Sequence, residues 1–374
     1  MKVFKVGITG QEGFIGSHLY NGLSVCHENF ELIEFKKRYF DDDDLFDKFV
    51  RKCDVIVHLA AVNRHNNPEL IYDVNIELVS KLVASLKRTR RFPHVILSSS
   101  SQEDQDNVYG RSKKEGREAL SEWSKANGAV FTGLIIPNVF GPFGKPKYNS
   151  VVATFCDQLV KNKNPKVLND SKLGMIYISE LVEIIKNCIL QTIRDHEYKV
   201  KSSYQVSVSE LLKILTSFRR LYLESGQIPS FKSTLELNLF NTFRSYLNLE
   251  ESFPKKYTQH NDERGSFVEL IRAGVGGQSS FSTTHPGITR GNHFHTRKIE
   301  RFSVIKGKAL VQLRRVGTKI TQDFYLDGSI PSYVDMPIWY THNIKNIGDV
   351  ELITLFWINE PYDPEDPDTY FLKV

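Results

Sequence analysis

The texture of this chain changes once, near Tyr257, and that change limits the folds open to it more than any single motif does. From Lys2 to about Val200, short apolar runs alternate with stretches whose apolar residues recur at helical spacing. Residues 3–9, 30–35, 55–59, 95–99 and 131–136 read as strands, and 15–23, 71–86 and 113–126 as helices. Each helix returns the chain to the same end of the sheet, so the strands run parallel with helices on both faces, a doubly wound α/β domain. From 206 to about 249 the pattern is helical and rich in Leu, Phe and Tyr, predicting a small helical cap at about 203–250. The run Ser252-Phe253-Pro254-Lys255-Lys256 reads as a linker. Past Tyr257 short β-rich stretches follow (265–272, 300–304, 309–314, 319–326, 352–357), punctuated by Gly and Asp-Gly turns, and these predict an all-β barrel or sandwich. Two domains, 1–252 and 257–374, also suit the length, since 374 residues exceed the roughly 250–300 at which one core stops growing.

Composition narrows function by exclusion. Acidic and basic residues are interleaved and the formal net charge is +5, which argues against a nucleic-acid partner. No apolar run approaches the roughly 20 residues of a spanning helix, and no amphipathic anchor is evident, so no membrane role is expected. Cys26, Cys53, Cys156 and Cys188 lie far apart without CxxC spacing, and Met1 leads directly into a strand-like run; the expectation is a reduced, cytoplasmic protein. The run Asp41 to Asp44 reads as a solvated loop or helix start, and Lys87, Arg88, Arg90 and Arg91 as a wet helix end.

The string Thr9-Gly10-Gln11-Glu12-Gly13-Phe14-Ile15-Gly16 joins the first strand to the first helix. Glycines there let the backbone approach a pyrophosphate, and the helix's first amides, with the positive end of its dipole, stabilise the phosphate charge. About 20 residues on, where the second strand meets the adenine ribose, Glu34 is followed by Lys36, Lys37 and Arg38. An acid there accepts from the 2′-hydroxyl of NAD, whereas a basic cluster neutralises the 2′-phosphate of NADP. The cluster favours NADP(H) through Lys36, with Lys37 and Arg38 also open to the plainer reading of exposed residues. Tyr109 and Lys113 stand at i and i+4 on one helix face. An ammonium beside the phenol stabilises phenolate and lowers its pKa, so that the tyrosine exchanges a proton with a carbonyl oxygen near neutral pH. The strand ending in Ser98-Ser99-Ser100-Ser101 offers a hydroxyl to the same oxygen.

With Leu59-Ala60-Ala61, Asn75 and Pro137-Asn138-Val139-Phe140-Gly141-Pro142, these residues resemble the extended short-chain dehydrogenase/reductase family over about residues 3–250. The resemblance implies a Rossmann-type sheet, Tyr109 as acid, Lys113 as its tuner and Ser100 as the hydroxyl that orients the carbonyl, with latitude of one position toward Ser99 or Ser101. It implies cofactor contacts from Gly10, Gly13, Phe14, Ile15, Gly16, Lys36, Leu59, Ala60, Ala61, Pro137 and Asn138. It also implies a nucleotide-activated sugar as substrate, with Asn149 and Ser150 facing the nucleotide.

In the second half His293 and His295 alternate along a strand, so both imidazoles point to one face. Glu300 and His342 would complete three nitrogens and one oxygen around a divalent ion. Alone, the two histidines pass as surface residues. The full string Gly287-x5-His293-x-His295-x4-Glu300-x6-Gly307 resembles the first motif of the cupin family, and His342-x3-Asn346 the end of its second. Imidazole-rich ligation favours zinc, with iron, nickel and manganese as alternatives. Pro337-Ile338-Trp339 stands where the second motif has Pro-x-Gly, so the turn is expected to differ or the indole to cover the barrel mouth.

Asp262-Glu263-Arg264-Gly265 resembles the DxRG strand of cupin-type epimerases that act on 4-keto deoxysugars. His285, Lys298, Tyr333 and Tyr340 are the candidate proton carriers, none singled out by spacing. Across nearly its whole length the chain resembles bifunctional capsular polysaccharide synthesis enzymes in which a nucleotide-sugar reductase is fused to a cupin. Ordered stretches at both ends carry the match, among them His58-Leu59-Ala60-Ala61-Val62-Asn63-Arg64 and Pro367-Asp368-Thr369-Tyr370-Phe371-Leu372. The resemblance implies C3 epimerisation of a UDP-2-acetamido-4-keto-2,6-dideoxyhexose in the cupin. NADPH-dependent reduction of the C4 ketone to UDP-6-deoxy-N-acetyltalosamine for surface polysaccharide would follow, in a homodimer. The alternative keeps the reductase and makes the barrel a structural, binding or dimerisation module.

Overall fold

Val6 to Thr9 are buried, as a strand covered by helices on both faces must be, and Phe4–Thr9 takes an interior place in a six-stranded parallel sheet. The order is Phe30–Ile33, Phe4–Thr9, Val55–His58, His94–Ser100, Phe131–Ile136, Asp195–Lys199, each pair parallel. The chain's direction of travel across the sheet reverses between Phe4–Thr9 and Val55–His58, and ligands of open α/β sheets bind in the crevice at such a reversal. The predicted helices form as Phe14–Ser24, Pro68–Thr89 and Val108–Asn127. The acidic run starts a further helix: Asp42 caps Asp43–Lys52 by accepting from Leu45 N at 3.0 Å, and Arg88 pairs with Asp43 and Asp47. Phe46, Phe49, Leu82, Leu97, Leu120 and Phe131 form the core between helices and sheet.

The computed structural model describes residues 2–148 and 150–374. They divide into two compact units, residues up to 154 with 167–210, and residues 155–166 with 211–374. Among the described residues no helix is long and apolar enough to cross a membrane.

The second unit is built on two five-stranded antiparallel sheets. One runs Lys255–Lys256, Ser332–Met336, Glu300–Lys306, Leu352–Ile358, Gln278–Thr284; the other runs Thr321–Asp327, Lys308–Arg315, Tyr340–Asn346, Thr289–Phe294, Tyr370–Phe371. Phe302, Val311, Leu313, Val334, Ile344 and Leu352 fill the space between them. The helical residues at 211–252 belong to this unit, and a buried polar network explains why. Arg301 holds Asp335 in a bidentate pair at 2.6 and 2.9 Å; Tyr222 donates to the same carboxylate at 2.7 Å, and Arg244 donates to the Met336 carbonyl at 2.7 Å. Leu249 and Phe253 enter the barrel core, so the run read as a linker supplies packing and a strand.

Candidate functional site

Two of the three fingerprint glycines are dictated by close approach. Gly10 takes φ +74°, and a Cβ there would lie 2.8 Å from the Ala60 nitrogen; on Gly16 it would lie 2.2 Å from the Gly10 carbonyl oxygen. Gly13 caps Phe14–Ser24 without a side-chain bond, so the first helix amides face the open end of the turn. A cavity of ≈ 340 Å³ is lined by Gly10, Gln11, Gly13, Phe35, Lys37, Leu59, Ala60 and Ala61. A second, of ≈ 120 Å³, begins at the next residues of the same turn, Phe14 and Ile15, and takes in Ser100, Tyr109, Pro137 and Asn138. Gln11 Nε2 donates to the Phe35 carbonyl at 2.9 Å while its buried Oε1 has no partner. A glycine cradle beside an orphaned acceptor fits a dinucleotide, whose hydroxyls and adenine amine supply donors.

The basic cluster is divided. Lys36 pairs with Glu34 at 3.1 Å, and Glu34 borders a different groove, whereas the 3-10 turn Lys37–Asp41 brings Lys37 to the cavity lined by the fingerprint glycines. The expected residue is Lys36; the geometry picks Lys37.

Tyr109 sits at the start of Val108–Asn127, which Asn107 caps by accepting from Gly110 N at 2.7 Å. Gly110 presses so closely on the turn Ser101–Asp104 that a Cβ would lie 2.0 Å from the Gln102 carbonyl oxygen, and this contact brings Tyr109 beside the end of His94–Ser100. Ser98 Oγ donates to the His58 carbonyl at 3.4 Å and Ser99 Oγ to the Glu103 carboxylate, whereas Ser100 Oγ accepts from Gln102 N at 3.2 Å, which leaves its own proton for another acceptor. Burial raises the Tyr109 phenol above its ordinary value, against a hydrogen bond with Asn63. The lowered value expected from Lys113 does not appear: burying a phenolate costs more than its surroundings return, so the group is a protonated donor. Lys113 is itself buried and pushed down to about 8, against the pull of the Glu103 carboxylate.

Two residues near this cluster, Glu103 and Tyr148, carry no motif signal. Glu103 is held by Arg117 Nε at 3.0 and 3.1 Å and Nη2 at 2.8 Å. Tyr148 Oη accepts from Asn63 N at 3.1 Å, which ties the loop after Val55–His58 to the one that follows Asn138–Phe140. Asn75 fixes the first of these loops through the Val62 amide and carbonyl at 2.7 and 3.0 Å, and reaches Ser112 on Val108–Asn127 at 3.0 Å. Ser150 Oγ accepts from Ala153 N at 3.3 Å; Asn149 lies outside the described residues.

In the second unit the ligand atoms of His293, His295, Glu300 and His342 all lie within 4.8 Å of one another. Glu300 Oε2 stands 3.2 Å from Nε2 of both His295 and His342. His295 Nδ1 meets the Asp368 carbonyl at 2.6 Å and His342 Nδ1 the Tyr340 carbonyl at 3.1 Å. A carbonyl only accepts, so each ring donates from Nδ1 and turns Nε2 to the cluster. His342 Nε2 is buried without a hydrogen-bond partner, an orphan that a cation satisfies. Burial, with the neighbouring His342 and His295, pushes His293 down to about 3, so its ring is neutral near pH 7. Burial opposes ionisation of Glu300, yet His295 and His342 hold it well below the carboxylate range. Three imidazoles and a carboxylate are a donor set that fits zinc or a related divalent ion.

Trp339 departs from what was expected of it. It takes φ +62°, the left-handed conformation a glycine adopts readily, so the turn is kept despite the substitution. Its indole stacks on Phe294 at 5.5 Å, and Phe294 alternates with His293 and His295, which puts the indole away from the ligands rather than over the barrel mouth. Of the candidate proton carriers, His285 is exposed, Lys298 Nζ donates to the Pro367 carbonyl at 2.8 Å, and Tyr333 lies in the barrel core under the Arg301 guanidinium. Tyr340 packs at the edge of that core. Asp262 and Arg264 pair with each other at 2.6 Å on an exposed hairpin, Gln259–Asp262 with Gly265–Val268.

Residues 6–200 match the NAD dependent epimerase/dehydratase family, and 260–370 match the polysaccharide biosynthesis C-terminal domain. The chain is 34% identical to a UDP-2-acetamido-2,6-beta-L-arabino-hexul-4-ose reductase of Pseudomonas aeruginosa, over 99% of each chain. It is similar to the crystal structure of the capsular polysaccharide assembling protein CapF from Staphylococcus aureus, with TM-score 0.63 and 34% identity over 99% of this chain and 100% of that one. The spore coat polysaccharide biosynthesis protein SpsL of Bacillus subtilis is 28% identical over 124 residues, 30% of this chain and 82% of its own.

Proposed function

Because the chain belongs to the NAD dependent epimerase/dehydratase family and, over its whole length, to the CapF-like capsular polysaccharide assembling proteins, we propose that it is a nucleotide-sugar reductase whose barrel epimerises the same substrate first. The substrate is a UDP-linked 2-acetamido-4-keto-2,6-dideoxyhexose, epimerised at C3 and then reduced at C4 to UDP-6-deoxy-N-acetyltalosamine for capsular polysaccharide. The observation that carries the reductase is one cavity bordered by the fingerprint turn, Ser100 and Tyr109 together.

When bound, the nicotinamide cofactor supplies a hydride. Ser100 donates a hydrogen bond that orients the ketone oxygen, and Tyr109, held protonated by burial, delivers a proton to that oxygen. Lys113 then stabilises the phenolate left behind. Lys37 at the adenosine-side cavity, with Glu34 turned to another groove, supports NADP(H) over NAD(H). In the barrel His293, His295, Glu300 and His342 would hold a divalent ion, most simply zinc, which supplies Lewis acidity toward a ketone oxygen. Epimerisation must come first, because the ketone is what acidifies the C3 hydrogen and reduction removes it.

Full-length protein given the 4-keto UDP-sugar is expected to consume NADPH, and Tyr109→Phe to lower that rate by about 10²–10⁴-fold. Undiminished turnover in the variant would exclude the reductase reading. A second reading makes the barrel a metal-stabilised binding or dimerisation module, favoured by the engagement of Lys298 Nζ and Tyr333 in structural contacts. Deuterium incorporation at C3 from solvent, measured without nicotinamide, separates the two: an epimerase exchanges and loses exchange in His293→Ala, while a module exchanges nothing.

A further inference from the structure

Residues 366–372 return to the histidine cluster from far along the chain. Tyr370–Phe371 pairs with Phe294 and His293, and Leu372 N donates to the Asn292 carbonyl at 2.9 Å. Between the barrel and this strand lies Asp368, buried although charged, with φ +40° in the left-handed region. Its backbone carbonyl receives His295 Nδ1 at 2.6 Å. Its carboxylate takes four donors: Thr296 N and Oγ1 on Oδ1 at 3.0 and 2.6 Å, and Arg297 N and Lys298 N on Oδ2 at 3.0 and 3.1 Å. Residues 296–298 make most of the turn between His295 and Glu300. One residue therefore orients the His295 ring with its main chain and, with its side chain, fixes the turn that sets His295 against Glu300.

We infer that Asp368 is a positioning residue of the metal centre, and that the C-terminal strap sets how tightly the ion is held. The inference rests on reading the four-residue cluster as a metal site. Asp368 does not touch the ion position itself; it acts through His295. The backbone strain at φ +40° persists because the four donors on the carboxylate and the His295 ring on the carbonyl demand the same placement of the residue. Loss of the carboxylate frees the turn and lets the peptide relax, so that the carbonyl on His295 Nδ1 is no longer held in place. Partners of metal-ligating histidines contribute about 10–100-fold to affinity, and a loss of that size is expected here.

Zinc affinity of the full-length protein, measured by competition with a chromophoric chelator, tests this, alongside the melting temperature of the metal-free chain. Asp368→Ala is expected to weaken zinc binding by about 10–100-fold. Asp368→Asn is expected to fall between it and wild type, since one carbonyl oxygen still serves half of the donors. Thr296→Val, which deletes a single hydroxyl donor, gives the smallest loss and covers the case in which Asp368→Ala does not fold. Unchanged zinc affinity in Asp368→Asn and Thr296→Val overturns the inference, even where the metal-free chain melts lower, because that pattern belongs to a purely structural contact. Absence of zinc binding by the wild-type chain overturns the metal reading itself, and with it this role of Asp368.

Discussion

Trp339 donates its backbone N–H to the His295 carbonyl at 2.8 Å while its own φ stands at +62°. Left-handed backbone costs a bulky residue about 1–3 kcal/mol. The indole offsets that cost by burial and by stacking on Phe294. Trp339→Gly recovers the strain and loses the buried ring, worth about 3–5 kcal/mol by analogy with truncation to alanine. The ring term is larger, so the variant is expected to lose about 1–3 kcal/mol, read as a lower urea midpoint. A midpoint at or above wild type would mean that strain dominates and that tryptophan is kept here for some other reason.

Glu103 faces Lys113 inside the first unit, with Ser99, Arg117 and His58 close by. Burial pushes Lys113 down to about 8, and the Glu103 carboxylate opposes that push. An ammonium with such a value is lost as pH rises through it, so the kcat/KM of ketone reduction is expected to fall above about pH 8. Glu103→Gln removes the opposing charge and should move this alkaline limb to lower pH, without moving one set by the substrate. A limb that stays in place would show that Glu103 serves structure alone.

Lys37 and Lys36 give opposite expectations for cofactor choice. A charge-assisted contact with the 2′-phosphate contributes about 1.5–3 kcal/mol, so Lys37→Ala should raise KM for NADPH by about 10–100-fold and leave KM for NADH nearly unchanged. Lys36→Ala, which removes an exposed ion pair with Glu34, should alter neither. Steady-state kinetics with both cofactors checks this, and a larger effect from Lys36 would reverse the assignment.

Local rules made the α/β half readable. The strand Phe131–Ile136 has the same two ends in the sequence pattern and in the structure, and Phe14 and Ile15 of the fingerprint string share a cavity with Ser100 and Tyr109. Spacing does not separate Lys37 from Lys36; direction does, because the chain turns into a 3-10 helix directly after Lys36 and Lys37 lines the cavity of the fingerprint glycines. In the barrel Ser332–Met336 escaped notice because all five of its residues are buried, so the two-residue alternation that marks a strand is missing. Asp368 stands in the sequence only as part of the matching stretch 367–372, with nothing to mark its role; its carboxylate works on residues some 70 positions away, and only the fold brings them together.

Arg301, Asp335 and Tyr222 tie the helical residues at 211–252 to the barrel, and the same three groups set an acid response. Burial pushes the Asp335 carboxyl up, but Arg301 outweighs it and holds the group below its ordinary value. A depressed folded-state pKa contributes stability above the unfolded value of 3.8 that is lost as pH falls through the folded value. Tyr222→Phe deletes one charge-assisted hydrogen bond while Arg301 keeps both of its own, so a loss of about 1.5–3 kcal/mol is expected with the acid response retained. Arg301→Met strands a buried carboxylate and should lose about 3–5 kcal/mol at neutral pH. In that variant burial prevails, the folded-state value moves above the unfolded one, and the contribution of Asp335 changes sign: stability rises as pH falls through the raised value. Urea unfolding of the full-length chain between pH 7 and about pH 4 compares the slopes of the two variants. Equal slopes would show that Arg301 does not govern the charge on Asp335.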